Sequence, residues 1–120
     1  MGLDMFAFET REKIDDFGFK APADAVLIQQ WRKHPNLHGW MEQLYRSRGG
    51  ERRFNCITLR LTAEDIDDLE KAVMEDNLPY TEGFFFGESR PEHKDDDIEF
   101  IRDAREAFQE GSQVYYDSWW

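Results

Sequence analysis

His34 and His38 stand four residues apart, the spacing at which two imidazoles on one helical face can clamp a metal ion. Pro35 lies between them and puts His34 ahead of the helix, so His34 is expected to cap that helix or face solvent. No acidic or cysteine ligand stands near the pair in sequence, and no metal or other cofactor is expected. Cys56, His38 and Asn55 supply a thiol, a base and an orienting amide, the residue types of a nucleophilic centre. Cys56 falls in an apolar stretch, however, where a free cysteine ordinarily packs and stays inert. It is the single cysteine of the chain, which excludes a disulfide framework and a cysteine-rich zinc site.

The aromatic residues are the unusual feature. Trp31, Trp40, Phe84–Phe86, Tyr115, Tyr116, Trp119 and Trp120 exceed what a core of this size absorbs. The closing Tyr115-Tyr116-Asp117-Ser118-Trp119-Trp120 is expected to dock, either completing a sheet or lining a pocket. A binding site for a small molecule or nucleotide would gather Trp31, Arg32, His38, Trp40, Asn55, Cys56, Tyr116 and Trp119. There arginine would meet a phosphate or carboxylate, and the rings would form a stacking wall.

Charge is the other candidate determinant. The 120 residues carry a net charge of −11, but residues 1–60 hold 10 Lys+Arg against 8 Asp+Glu, and residues 61–120 hold 5 against 18. The acid falls on two helical stretches, around Asp65 and Asp68 and at Asp95, Asp96 and Asp97. These residues are read as a surface for a basic partner protein, beside the plainer reading of a solvated face. The four arginines around Gly49-Gly50 (Arg46, Arg48, Arg52 and Arg53) are too few, in so negative a field, to track phosphates. Direct nucleic-acid binding is not expected.

The elements that must position these residues follow from periodicity. Leu3 to Phe8 reads as a strand, and residues 22–33 as a helix opened by Pro22. A second helix carries Leu37, Trp40, Met41, Leu44 and Tyr45 on one face and ends at Gly49-Gly50. Arg53 to Leu61 alternates as a strand. Thr62 caps a helix to about Asp76, with Ile66, Leu69 and Val73 inward. Phe84–Phe86 form a short strand or a buried loop. A last helix runs from about Asp95 to Glu110 with Ile98, Ile101, Ala104 (or Arg105) and Phe108 inward, and Gln113 to Trp119 closes as a strand. The order β-α-α-β-α-(β)-α-β predicts a single α+β domain, about four helices on a small, largely antiparallel sheet. No apolar run approaches the ~18 residues of a membrane helix, and no signal-peptide h-region opens the chain. A cytoplasmic protein of a bacterial host is expected.

Six separated blocks appear in one order: Met1-Gly2-Leu3-Asp4-Met5-Phe6, Trp31-Arg32-Lys33 with His38 and Trp40, Asn55-Cys56, Leu78-Pro79, Gly83-Phe84-Phe85-Phe86-Gly87, and Tyr115-Tyr116-Asp117-Ser118-Trp119. The string resembles small uncharacterised proteins of bacteriophages, prophages and some bacteria that begin Met-Gly-Leu-Asp-Met-Tyr, with Phe6 in place of their tyrosine. Some of those carry the label phosphoglycerate kinase. This chain has no Gly-rich phosphate loop followed by Lys-Ser/Thr, and its length holds no two-domain cleft, so that activity is not expected. The resemblance implies a phage or prophage context. The leading expectation is a non-catalytic interaction module that binds a host or phage protein through its acidic helices, its sharper form an inhibitor of a nucleic-acid-handling host system. The alternatives are the small-molecule or nucleotide-binding domain above, extended to a hydrolase built on His38, Asn55 and Cys56, and a minor structural component of a particle.

Overall fold

The computed structural model describes residues 2–120. Met1, which opens the motif string, lies outside them. Four antiparallel strands, β1 (Asp4–Thr10), β2 (Val26–Arg32), β3 (Leu59–Leu61) and β4 (Gln113–Trp119), form one sheet in the order β2-β1-β4-β3. Three helices, α1 (Pro35–Ser47), α2 (Ala63–Met74) and α3 (His93–Gln109), cover one face, which makes the fold α+β.

Register explains which side chains meet the helices. Met5 lies opposite Trp31 and Ser118, and Ala7 opposite Tyr116, which in turn faces Leu59. Successive residues alternate between faces, so Met5, Ala7, Trp31, Leu59, Leu61, Val114 and Tyr116 share the buried side. Leu37, Met41 and Tyr45 come down from α1, Ile66, Leu69 and Val73 from α2, and Phe100, Ile101, Ala104 and Ala107 from α3. On the opposite face Tyr115 is also buried, stacked on Phe8 at 5.2 Å and edge-on to Phe19 at 5.1 Å. A returning loop therefore covers part of the sheet that helices leave open.

The α2 expectation holds in detail. Thr62 Oγ1 accepts the Asp65 backbone N–H at 3.1 Å, and Asp65 returns a carboxylate to the Thr62 N–H at 2.8 Å. Aspartate thus closes the capping box that glutamate or glutamine more often closes.

Five expectations are corrected in whole or in part. Residues 22–33 do not form a helix: Val26–Arg32 is an edge strand on β1, with a bulge between Ala7 and Phe8. Pairing with β1 satisfies the backbone in a ladder and turns Trp31 fully into the core with Ile28 packed against it, while Val26 and Leu27 stay exposed. The Pro22 turn is tied to β1 by Asp24, whose carboxylate accepts the Thr10 hydroxyl and the Arg11 N–H. The strand placed at Arg53–Leu61 shrinks to Leu59–Leu61, because Cys56 turns to φ +59° and gives its N–H to the Ser118 carbonyl. Residues 84–86 are a loop in which only Phe86 is buried. The inner face of α3 keeps Ile101 and Ala104 as expected but is completed by Asp97, Phe100 and Ala107, with Phe108 half-buried and Ile98 exposed. Three helices replace the expected four, and the order becomes β-β-α-β-α-α-β.

Candidate functional site

The sequence-selected residues part company once folded. Trp31 lies beneath α3, edge-on to Phe100 at 5.2 Å, with its indole N–H on Asp97 Oδ1 at 3.0 Å. Arg32 is exposed and pairs with Asp4 at 2.7 Å. Trp40 is half-buried on α1. None of these three reaches His38.

His38 is a packed histidine. Its Nδ1 lies 2.7 Å from the Tyr116 hydroxyl, and its ring is enclosed by Phe54, Phe86, Tyr116 and Trp120. Burial drives its pKa down to about 4, against a smaller opposite pull from a hydrogen bond to the Phe54 backbone. The imidazole is therefore neutral at pH 7 and directed at Tyr116. Cys56 is exposed, 3.5 Å from Asn55 Oδ1, and its thiol is pushed up by partial burial and by the Asp117 carboxylate. A thiol held in its protonated form is a poor nucleophile. Asn55 spends its amide elsewhere: Nδ2 donates to the Trp120 carbonyl at 2.6 Å and Oδ1 accepts the Trp120 N–H at 2.9 Å. Tyr116 is wholly buried. The trio of thiol, base and amide is thus a structural clamp on the end of β4.

That clamp shapes a groove. A cavity of ≈ 790 Å³ opens at the sheet end where β1 starts and β4 finishes, lined by Gly2, Asp4, Arg53, Phe84, Phe85, Trp119 and Trp120. Trp119 pairs with Asp4 across the sheet and leaves its ring 66% exposed, while Phe84 and Phe85 are 76% and 52% exposed. The tail therefore both completes the sheet and lines a pocket. The Arg53 guanidinium stands 5.5 Å from the Trp120 ring, and the Trp120 indole N–H is held by the Phe54 carbonyl at 2.9 Å.

Phe86 explains why its two neighbours are outside. It is driven inward against His38 and Trp120, its ring 5.0 Å from the latter. Gly83 accepts this ring so closely that an added Cβ would come within 2.2 Å of it. Phe85 then bends back at φ +64° and packs edge-on to Phe84 at 4.4 Å. The loop is seated on α1 by the Thr81 N–H to Asn36 Oδ1 bond, 3.0 Å, and by Gly39, whose missing side chain leaves room for Thr81.

The acidic residues divide as well. Asp68 and Asp95 are exposed and Asp96 is half-buried. Asp65 is buried in its capping box and paired with Arg48, and Asp97 is buried against Trp31 and His34. Neither Asp65 nor Asp97 can belong to an external acidic surface. His34 is likewise inside, 3% exposed, not at the solvent: its Nε2 meets Asp97 Oδ2 at 2.9 Å, and the side chain makes no helix cap. His93 stacks on it at 4.3 Å, and burial is the main cause that lowers the His93 pKa.

Sequence reasoning did not select Arg53 for the groove or Ser89 for the His34 cluster. Arg53 looked like one of a basic run, and Ser89 sits in a polar loop with no periodicity to mark it. Among the described residues no group of histidine, cysteine and carboxylate side chains is spaced for a metal ion, and no helix is long and apolar enough to cross a membrane.

Fold and groove together define a two-layer α+β domain with an aromatic recess at one end of its sheet. No family model, curated protein or solved structure matches the chain.

Proposed function

We propose that this chain is a ligand-binding module of the phage or prophage type its motif string resembles, and that the recess is its recognition site for planar, negatively charged small molecules of the nucleotide class. The observation that carries this reading is that Phe84, Phe85 and Trp119 are exposed together around one cavity that also holds the Arg53 guanidinium. Solvent-facing rings of this size cost free energy that a stacked ligand recovers. Base stacking on one such ring is worth about 1–3 kcal/mol. Asp4 is already paired with Arg32, so Arg53 supplies the charge on this wall, which suits an anion. The volume falls within the roughly 300–1,000 Å³ range of small-ligand sites.

Isothermal calorimetry with the four ribonucleoside 5′-monophosphates, beside the uncharged nucleosides, tests the reading. Binding that is stronger for the monophosphates, abolished by Phe85→Ser and levelled between the two ligand sets by Arg53→Gln, supports it. Absence of heat from every monophosphate at millimolar concentration removes it.

A second reading keeps the acidic helices as the docking surface for a basic host or phage protein, including a nucleic-acid-handling one. The exposed Glu64, Asp68, Asp95 and Glu99 favour it. Part of the acid is neutralised internally, since Arg105 bridges Asp67 and Glu70 at 2.8 Å. A pull-down comparing wild type with the Asp68→Lys/Asp95→Lys double variant checks this reading. A partner lost with the variant supports it, and equal capture by both proteins counts against it.

A further inference from the structure

Ser89, His34 and Asp97 form a hydrogen-bonded relay that ligand stacking in the recess does not use. The Ser89 hydroxyl lies 2.7 Å from His34 Nδ1, and His34 Nε2 lies 2.9 Å from Asp97 Oδ2. Asp97 Oδ1 accepts the Trp31 indole N–H at 3.0 Å. An ionised carboxylate only accepts, so Nε2 carries the imidazole proton and Nδ1 is left to accept from the Ser89 O–H. The sequence of donors runs from hydroxyl to imidazole to buried carboxylate, which is the arrangement that activates a serine.

A capping role accounts for only part of this. Ser89 Oγ accepts the Asn36 backbone N–H at 3.0 Å, taking the place of the side-chain cap that α1 lacks at His34. That bond needs a hydroxyl oxygen and nothing behind it. A histidine 3% exposed and an aspartate 1% exposed are costly to bury, and the cap does not call for them. Access is also in place. Ser89 is half-buried and lines three surface concavities, of which the largest, ≈ 730 Å³, also holds Arg32, Lys33, Arg90 and His93. Glu88 is the one carboxylate on that wall among the described residues. Lys33, next to His34, is held at φ +54°, a conformation that non-glycine residues rarely keep without a reason.

We propose that Ser89 is a nucleophile with His34 as its general base and Asp97 as the positioning residue, in a site that hydrolyses small carboxylic esters bearing an anionic group. Ser89 Oγ attacks the ester carbonyl carbon while its proton passes to His34 Nδ1. The bond to the leaving alcohol breaks, and the alcohol takes that proton. Water then attacks the acyl group on Ser89 and gives a proton to Nδ1. The acid departs as Ser89 recovers its proton, so ester and water become acid and alcohol. Asp97, fixed by Trp31, faces the imidazolium that forms in each half-reaction. Lys33 and Arg90 supply the cationic wall that selects an anionic substrate. The proposal is independent of the aromatic recess, which contains none of these three residues.

The test is covalent labelling of the full chain with a fluorophosphonate, in which Ser89 Oγ displaces fluoride from phosphorus, read by intact and peptide mass spectrometry. A single adduct on Ser89 is expected, absent from Ser89→Ala and slowed at least ~10-fold in His34→Gln, with folding of both checked by near-ultraviolet circular dichroism. Should a variant not fold, the wild-type adduct decides: an unlabelled Ser89, or other serines labelled equally fast, overturns the proposal. Turnover of p-nitrophenyl succinate should exceed that of uncharged p-nitrophenyl acetate in kcat/KM, and no turnover of either ester also overturns it. Asp97→Asn is expected to lower kcat at least ~10-fold with KM held within about twofold; a loss confined to KM removes Asp97 from the relay.

Discussion

Asn55 holds Trp120 by both ends of its amide, donating to the carbonyl at 2.6 Å and accepting the N–H at 2.9 Å. The two residues are 65 apart in sequence, and this pair sets the depth of the aromatic recess by fixing where the last indole lies. Arg53, one step ahead of Phe54, places its guanidinium 5.5 Å from the Trp120 ring. An irregular segment thus does what a strand could not, because a pleated chain would carry Asn55 and Cys56 to opposite faces.

Asn55→Ala should therefore cost about 1–3 kcal/mol, the combined net worth of two hydrogen bonds, one to each backbone group of Trp120. Urea unfolding measures the loss. Tryptophan emission should shift to the red before the main transition, reporting release of the Trp120 ring from Phe86 and His38.

Asp95 and Asp97 are two positions apart and should tolerate change very differently. Asp95→Lys alters an exposed side chain in the first turn of α3 and is expected to cost under about 1 kcal/mol. Asp97→Lys puts an unpaired ammonium in the core and strands the Trp31 N–H and His34 Nε2, so no cooperative thermal transition should remain. Differential scanning calorimetry of the two variants gives the comparison.

His38 links stability to pH. Its folded-state pKa of about 4 lies below the ordinary 6.5, so the unfolded chain binds the extra proton. The stabilisation from keeping His38 neutral is whole above pH 6.5, is lost as pH falls, and levels off below about pH 4. The loss is on the order of 3 kcal/mol. Urea midpoints across this range should fall more steeply for wild type than for His38→Gln, and equal slopes would assign the acid sensitivity to other groups.

Gly39 lies inside α1, where alanine would ordinarily add about 1 kcal/mol of helix stability. A Cβ at this position would come within 1.9 Å of Thr81 Oγ1, so Gly39→Ala should destabilise instead. Thr81→Gly in the same chain removes the obstruction and should restore a large part of the loss. A double-mutant cycle by thermal denaturation reads the coupling, and additive effects would show that the loop does not rest on α1 through this contact.

Part of this protein could be read in one dimension. The α2 helix is specified within a few residues, by Thr62 and Asp65 at its start and by Ile66, Leu69 and Val73 at helical spacing. The same is true of α1, where Leu37, Met41 and Tyr45 mark the inner face, and of β4, whose alternation puts Val114, Tyr116 and Ser118 on one side. The aromatic tail was recognisable as a docking element because its apolar area is too large to leave in water. These signals are local, so neighbouring residues suffice to carry them.

The remaining features depended on partners far away in sequence. Val26 to Arg32 has apolar residues that fit a helix or a strand, and only the open edge of β1 made it a strand. Asp97 stands beside Asp95 and Asp96 and reads as the third of three surface charges. Trp31, 66 residues earlier, and His34, 63 residues earlier, turn it into a buried hinge of hydrogen bonds. Ser89 acquired its neighbours in the same way. Local periodicity and capping specify what each segment can become, whereas edge pairing and burial of polar groups are settled by contacts that exist only once the sheet and the three helices have closed on one core.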